Sequence, residues 1–340
     1  MIIGGRELKL PILVPSISSY ETPVSLTGAI SIQFALQEPI SLVSAFDFHH
    51  EGDDFRDAVQ SFNEFGVLLV DSGGYESQRI QKLEKYYMPL DSGKKSKTHR
   101  INWTEADFFA TIDRMHFSLA FSYDYFGNGD VEQYQKTLTE AISRHMDHMG
   151  SKVIPVVHAV EQDRTTRMSE SDLVGLCSKI AKTFTPQFIA VPERELGSGM
   201  AERARLAKKI VSALRKGGET RLHILGCGNP LSSAIFSAAG VAMVDGLEWC
   251  RTYFCQPMWL SHFQHEGTLP AAGADFLNLG AKQLLKGSTT YEDRVAIHNL
   301  AALQKFGVGL TAALLDQDVP SFLRAHYGDL PAELASELLT

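Results

Sequence analysis

Residues 67–78 read "VLLVDSGGYESQ". Four apolar residues run without alternation into Asp71, and a serine and two glycines follow. A strand with one wet face alternates apolar and polar residues. A run without alternation fits a strand buried on both faces, as in a parallel sheet. Seven further runs share this character: "PILVPSI" (11–17), "ISLVSAF" (40–46), "FSLAFSY" (117–123), "VIPVVHA" (153–159), "QFIAVP" (187–192), "LHILG" (222–226) and "VAMVDG" (241–246). Most lead into segments of helical period. In "AERARLAKKIVSALRK" (201–216), Leu206, Ile210, Val211 and Leu214 share one face. "SDLVGLCSKIAKTF" (171–184) opens on a Ser/Asp cap signal. Eight buried strands alternating with helices predict an α/β fold of the (β/α)8 TIM-barrel type, which takes about 250 residues. A doubly wound sheet is the competing arrangement. The catalytic barrel is expected at 1–265. A helical C-terminal extension packed on it is expected at 266–340, on the pattern of "YEDRVAIHNLAALQKFGVGLTAALL" (291–315).

The bulk numbers fit a soluble globular chain: 340 residues, 44% hydrophobic, 21% charged, formal net charge −8. A chain this acidic is not an obvious nucleic-acid coat, although a local basic patch can still bind phosphates. Four cysteines, Cys177, Cys227, Cys250 and Cys255, do not make a disulfide scaffold in so long a chain, and a reducing cytoplasm is the expected location. "MIIGGRELKLPILVP" at the start lacks a basic segment followed by a long apolar core, and no window approaches ~18 apolar residues, so neither a signal peptide nor a membrane span is expected. The most linker-like stretch is "MPLDSGKKSKTHRINW" (88–103).

In a barrel of this kind the chemistry sits at the C-terminal ends of the strands. The third run ends on Asp71, the fourth on Asp124 and the fifth near His158. The sixth runs into Glu193 and Glu195, the seventh into Gly226, Cys227 and Gly228, and the eighth delivers Asp245. One strand-end aspartate more often caps the following turn. Three of them favour a common pocket. Glycines after Asp71 let the backbone lie close to a flat ligand.

These segments resemble the tRNA-guanine transglycosylases, the queuine/archaeosine base-exchange enzymes. "VDSGGYES" (70–77) looks like that family's D-S-G-G-[FY]-Q segment, and "LHILGCGNP" (222–230) is similar to its L-M-G-V-G-x-P stretch. "GVAMVDGLEWCR" (240–251) is similar to its G-x-D-M-F-D-x-x-x-P-x-R segment, and "RVAIHNLAALQKF" (294–306) to its T-I-H-N-L-x-x-Y helix. "LAFSYDYF" (119–126) sits where the family has a strand ending in a base-reading aspartate. The resemblance implies that Asp245 is the nucleophile attacking C1′ and that Asp71 serves in proton transfer beside base and ribose. It implies that Ser72, Gly73, Gly74 and Tyr75 lie against the base with Tyr75 stacking, that Asp124 reads the guanine N1–H and amine, and that Leu225 and Gly226 pack on the base. Arg251 matches a basic residue near the nucleic-acid backbone. Implied partners are nucleic acid, DNA or tRNA, and a free 7-deazaguanine base, in a homodimer or heterodimer, with no cofactor. The chemistry is coherent by itself: a carboxylate can stabilise oxocarbenium character at C1′ and bond to it, and a second can shuttle the proton between leaving and entering bases.

The chain departs from the family pattern in four ways. The region where the family has a structural zinc site, about 270–300, contains no cysteine. Cys250, Cys255, His262 and His265 form a C-x4-C-x6-H-x2-H grouping, but this is not a common zinc spacing, so no metal is assigned. His158 stands nearest the family's glutamine, and Pro192 interrupts its base-reading backbone segment. Glu76 replaces a glutamine. The tRNA-holding segments are reduced, leaving Lys94, Lys95, Lys97 and Arg100, and the helix Arg203–Lys216, as candidate phosphate contacts. Together they suggest a zinc-less branch of the superfamily, of the kind that inserts 7-deazaguanines into DNA. Alternatives are a non-catalytic partner subunit, a nucleosidase or base hydrolase in which His158 or Glu193 assists, and an unrelated metabolic barrel.

Overall fold

The computed structural model describes residues 1–19, 22–74, 103–126, 130–159, 167–255, 258–261, 279–286 and 290–340. Tyr75, Glu76, Lys94, Lys95, Lys97, Arg100, His262 and His265 lie outside the described residues.

Eight parallel strands form one sheet: β1 (Ile12–Ile17), β2 (Ile40–Ser44), β3 (Val67–Asp71), β4 (Leu119–Phe121), β5 (Val153–Ile154), β6 (Phe188–Pro192), β7 (Arg221–Leu225) and β8 (Met243–Gly246). The hydrogen-bonded order is β5-β4-β3-β2-β1-β8-β7-β6. Its two ends meet at a parallel bridge between Val156 and Ala190. Val157 N donates to Ala190 O at 2.9 Å, and Ala190 N donates to Pro155 O at 2.8 Å. The strands thus form a (β/α)8 barrel, and an open doubly wound sheet is excluded. All eight apolar runs became strands. β5 is the shortest, because Pro155 has no N–H to give to a ladder.

The run at 67–70 shows why alternation is missing. Val67 and Leu69 point into the barrel beside Ile12, Val14, Ile40, Leu42, Leu119 and Phe121. Leu68 and Val70 point outward into a layer containing Phe55, Val59 and Phe62. All four are 0% exposed. Period two holds, but both faces are apolar.

The helices that cover the strands are α1 (Leu26–Ala35), α2 (Ala45–His50), α3 (Asp53–Phe65), α4 (Glu105–Ile112), α5 (Val131–Met149), α6 (Glu170–Phe184), α7 (Met200–Gly217) and α8 (Pro230–Ala238). Helix α6 starts slightly earlier than its sequence signal: Ser169, not Ser171, is the cap, and its hydroxyl accepts from Asp172 N at 3.2 Å. Leu206, Ile210, Val211 and Leu214 of α7 are buried, as their spacing requires. No helix among the described residues is long and apolar enough to cross a membrane.

After β8 come a short helix α9 (Glu248–Arg251), an antiparallel pair β9 (Thr252–Cys255) and β10 (Met258–Ser261), and helices α10 (Leu279–Lys286), α11 (Tyr291–Leu315), α12 (Val319–Tyr327) and α13 (Asp329–Leu339). Phe306, Leu310, Val319, Leu323, Ala332 and Ala335 pack with Ala204 of α7 and with Ala234, Ile235 and Ala238 of α8. Asn299 fixes the segment that follows β8. Its amide nitrogen donates to Trp249 O at 2.9 Å and to Thr252 O, and its oxygen accepts from Phe254 N at 2.6 Å. Trp249 in turn donates Nε1–H to Ser16 O at 2.8 Å. The "HN" of the 294–306 segment is therefore a clamp on the chain beside Asp245. Asn299→Leu strips three backbone groups of a buried partner. It is expected to destabilise the fold by of the order of 3 kcal/mol, read as a lower urea midpoint with an unchanged slope.

Candidate active site at the barrel mouth

The parity that fills the barrel also builds the site. On four strands the inward series continues one step past the apolar core to a polar residue. Val14 is followed inward by Ser16, Leu42 by Ser44, Leu69 by Asp71 and Met243 by Asp245. The register pairs Ser44 with Asp71 and sets Asp245 beside Val14. These side chains line a cavity of about 330 Å3, together with residues from all the other strand ends: Asp124 and Phe126 after β4, His158 after β5, Pro192, Arg194 and Glu195 at β6, Leu225 and Gly226 at β7, and Glu248 and Arg251 after β8. That volume suits a small planar ligand.

Asp245 is only 7% exposed. Three groups from behind and beside hold it. Ser16 donates Oγ–H to Oδ2 at 2.9 Å, His223 Nε2 lies 2.7 Å from Oδ1, and Gly226 N approaches Oδ1 at 3.4 Å. Against a carboxylate the Nε2 atom carries the hydrogen. His223 is wholly buried, stands edge-on to Phe121 at 5.0 Å, and its Nδ1 has no partner among the described residues.

Asp124 is braced from two sides. Its Oδ2 accepts from Ser72 Oγ at 3.1 Å, and its Oδ1 lies 3.1 Å from His158 Nε2. The other imidazole nitrogen of His158 lies 2.9 Å from Glu195 Oε1, and Glu195 Oε2 accepts from Ala159 N at 2.7 Å. Burial pulls the imidazole pKa down, but the hydrogen bonds and charges of Asp124 and Glu195 outweigh it and raise it from 6.5 to about 9. Phe126 lies on the ring with centroids 4.0 Å apart.

Glu248 enters a slot between two glycines. A Cβ at Gly228 falls 1.9 Å from Glu248 Oε2, and one at Gly246 falls 2.5 Å from the same atom and 2.3 Å from Gly228 N. That oxygen is buried without a hydrogen-bond partner among the described residues, as is Ser44 Oγ. Burial raises the Glu248 pKa, with Asp245 and Glu193 adding to the rise and its own backbone amide and Arg251 opposing it.

Of the residues singled out in the sequence, Asp71, Asp124, His158, Pro192, Glu195, Leu225, Gly226, Asp245 and Arg251 line the cavity. Ser72, Gly73 and Gly74 do not. They are buried, and the space left by the two missing Cβ atoms is already filled. Gly73 has φ +77°, and a Cβ there meets Phe46 Cβ at 2.4 Å, while a Cβ at Gly74 meets Asp124 Oδ2 at 2.3 Å. The glycines seat Asp124 and helix α2 rather than a ligand. Sequence reading missed Ser16, Ser44, His223, Phe126, Arg194 and Glu248. Ser16, Ser44 and His223 were available from strand parity, since each is two residues along from an inward apolar or cavity-lining position. Among the described residues no group of three His, Cys, Asp or Glu side chains is placed to hold a metal ion. Compared with protein-family models and with curated proteins, the chain matches none.

His158 has a folded-state pKa above its unfolded one, so its ion pairing contributes fully below about pH 6.5 and is lost as pH rises through about 9. The contribution is of the order of 3 kcal/mol. Wild-type unfolding free energy in urea is expected to fall between pH 7 and pH 10 by more than that of His158→Gln.

Proposed function

We propose that the cavity exchanges a guanine base in nucleic acid for a free 7-deazaguanine by way of a glycosyl-aspartyl intermediate on Asp245. The observation that carries this reading is the placement of Asp245, a deeply set carboxylate held by Ser16 and His223, in one cavity with Asp71 and Asp124. The sequence segments similar to the guanine transglycosylases supply the substrate class.

In this scheme Asp245 attacks C1′ as the C1′–N9 bond breaks, and the bonding electrons leave with the base. A proton from the Asp71 carboxyl neutralises the departing base. The incoming base then loses its ring N–H proton to Asp71, forms the new C1′–N bond, and releases Asp245 as carboxylate. Two displacements retain configuration at C1′, as with retaining glycosidases. Asp124 accepts from the N1–H and amine of guanine, a pair of donors that adenine lacks. Arg194 and Arg251 line the cavity and suit the phosphates flanking an extruded nucleotide. A polar carboxylate floor whose donors are fixed beforehand is the kind of environment that lowers such a barrier.

The test is incorporation of radiolabelled guanine into unmodified tRNA and, separately, into double-stranded DNA. Asp245→Asn is expected to cut incorporation by at least about 1,000-fold while unfolding like wild type. Denatured wild-type protein quenched during turnover is expected to carry nucleic acid covalently. Exchange intact in a folded Asp245→Asn protein overturns the proposal. Release of free guanine without an incoming base identifies a hydrolase instead, and exchange only after a second protein is added identifies a partner subunit.

A further inference from the structure

The protonation of His158 follows from its two neighbours. An ionised carboxylate can only accept hydrogen bonds. A neutral imidazole has one N–H, so between two carboxylates it serves one and turns a lone pair toward the other. The imidazolium serves both. The two contacts, to Glu195 at 2.9 Å and to Asp124 at 3.1 Å, are both of hydrogen-bond length. The remaining carboxylate oxygens are engaged as well, Asp124 by Ser72 and Glu195 by the amide of Ala159. The groups facing the ring are Asp124 and Phe126 from the segment after β4 and Glu195 from the segment after β6. Tyr134 on α5 takes the His158 backbone N–H on its hydroxyl, with Cys177 of α6 in electrostatic range behind it. Both are neutral, since burial raises the phenol and the thiol alike. The side chains of His158 and Glu195 are 7% and 11% exposed, so solvent screens the pair weakly.

We propose that Glu195 is a positioning residue for base selection: by pinning His158 as an imidazolium against Asp124, it keeps Asp124 an ionised, acceptor-only group in a fixed orientation. Such a group takes heterocycles that present two adjacent N–H donors. It rejects those that present a lone pair at the same edge, because two facing acceptors repel and leave each other unsatisfied. Guanine and its 7-deaza analogues qualify, and adenine does not. This rests on Asp124 being the base-reading carboxylate of the exchange reaction proposed above. Glu195 lies in the stretch where the chain departs from the family's base-reading backbone segment, so the resemblance assigns it no role. Its function here comes from the replacement of the family's glutamine by His158, which needs a second anion to stay charged.

The decisive variant is Glu195→Gln, which keeps size and one acceptor oxygen for the Ala159 amide, removes the charge and turns an NH2 donor toward His158 in place of an acceptor. The full-length protein is labelled at histidine with 13C and 15N, and the His158 signal is identified by its loss in His158→Gln. Wild-type His158 is expected to stay protonated through pH 8, and Glu195→Gln to lower its midpoint by at least about one pH unit. Guanine binding by calorimetry is expected to be within about threefold of wild type at pH 6, and at least about tenfold weaker at pH 8.5. A purely structural loss weakens binding at both pH values. Wild-type His158 titrating at an ordinary value, or a midpoint unmoved by Glu195→Gln, overturns the inference without reference to any ligand. Guanine binding that follows the same pH profile in both proteins also overturns it. Failure of wild-type protein to bind guanine at pH 6 overturns the proposed function, and with it the selection role, while the titration still reports on the imidazolium.

Discussion

A closed barrel allows its inward side chains only two environments, a dry interior and the mouth above it. Every strand obeys the same period-two rule, so a residue's position in the strand decides which of the two it meets. Val67 and Leu69 fill the interior, and the next inward place, Asp71, emerges at the rim. The same step from Met243 delivers Asp245, and from Leu42 delivers Ser44. Steric closure of the apolar layer therefore sets the height at which Ser16, Ser44, Asp71 and Asp245 appear, and Asp124, His158, Glu195 and Glu248 join them from the segments that follow the strands.

That arrangement concentrates like charge. Five carboxyl groups, from Asp71, Asp124, Glu195, Asp245 and Glu248, share one cavity with two arginines and one histidine. Four of them are held in three different ways. Asp245 has a hydroxyl and an imidazole N–H as donors, Asp124 and Glu195 share a cation, and Glu248 is pushed toward its neutral form by burial. Carboxyl groups in such different surroundings can take different roles within one reaction, as the proposed exchange asks of Asp245 and Asp71.

The barrel was legible because buried parallel strands have a strong signature, unalternated apolar runs that recur between amphipathic helices. Strand-end aspartates were legible by the same route. Other parts of the site were not. Strand parity places His223 on the inward side of "LHILG", but only the register beside Met243 shows it underneath Asp245. Glu195 could be named at its strand end, but it lies five residues past the inward Ala190, in a 3-10 turn whose direction no periodicity encodes, so its contact with His158 shows only in the structure. The glycines of "DSGG" were read as room for a ligand, yet the room is taken by Phe46 and Asp124. Sequence shows that a Cβ is missing; only packing shows what occupies its place.

The seam between β5 and β6 carries the least backbone pairing in the ring, a single bridge at Val156 and Ala190. Glu195 spans it just above, binding the Ala159 amide and the His158 ring on the opposite side. The side chains that tune the cavity are thus also the last stitch in the hoop. A chain whose ring has not shut lacks the Glu195 contacts to the His158 ring and the Ala159 amide, so closing the barrel and completing the cavity wall are one step.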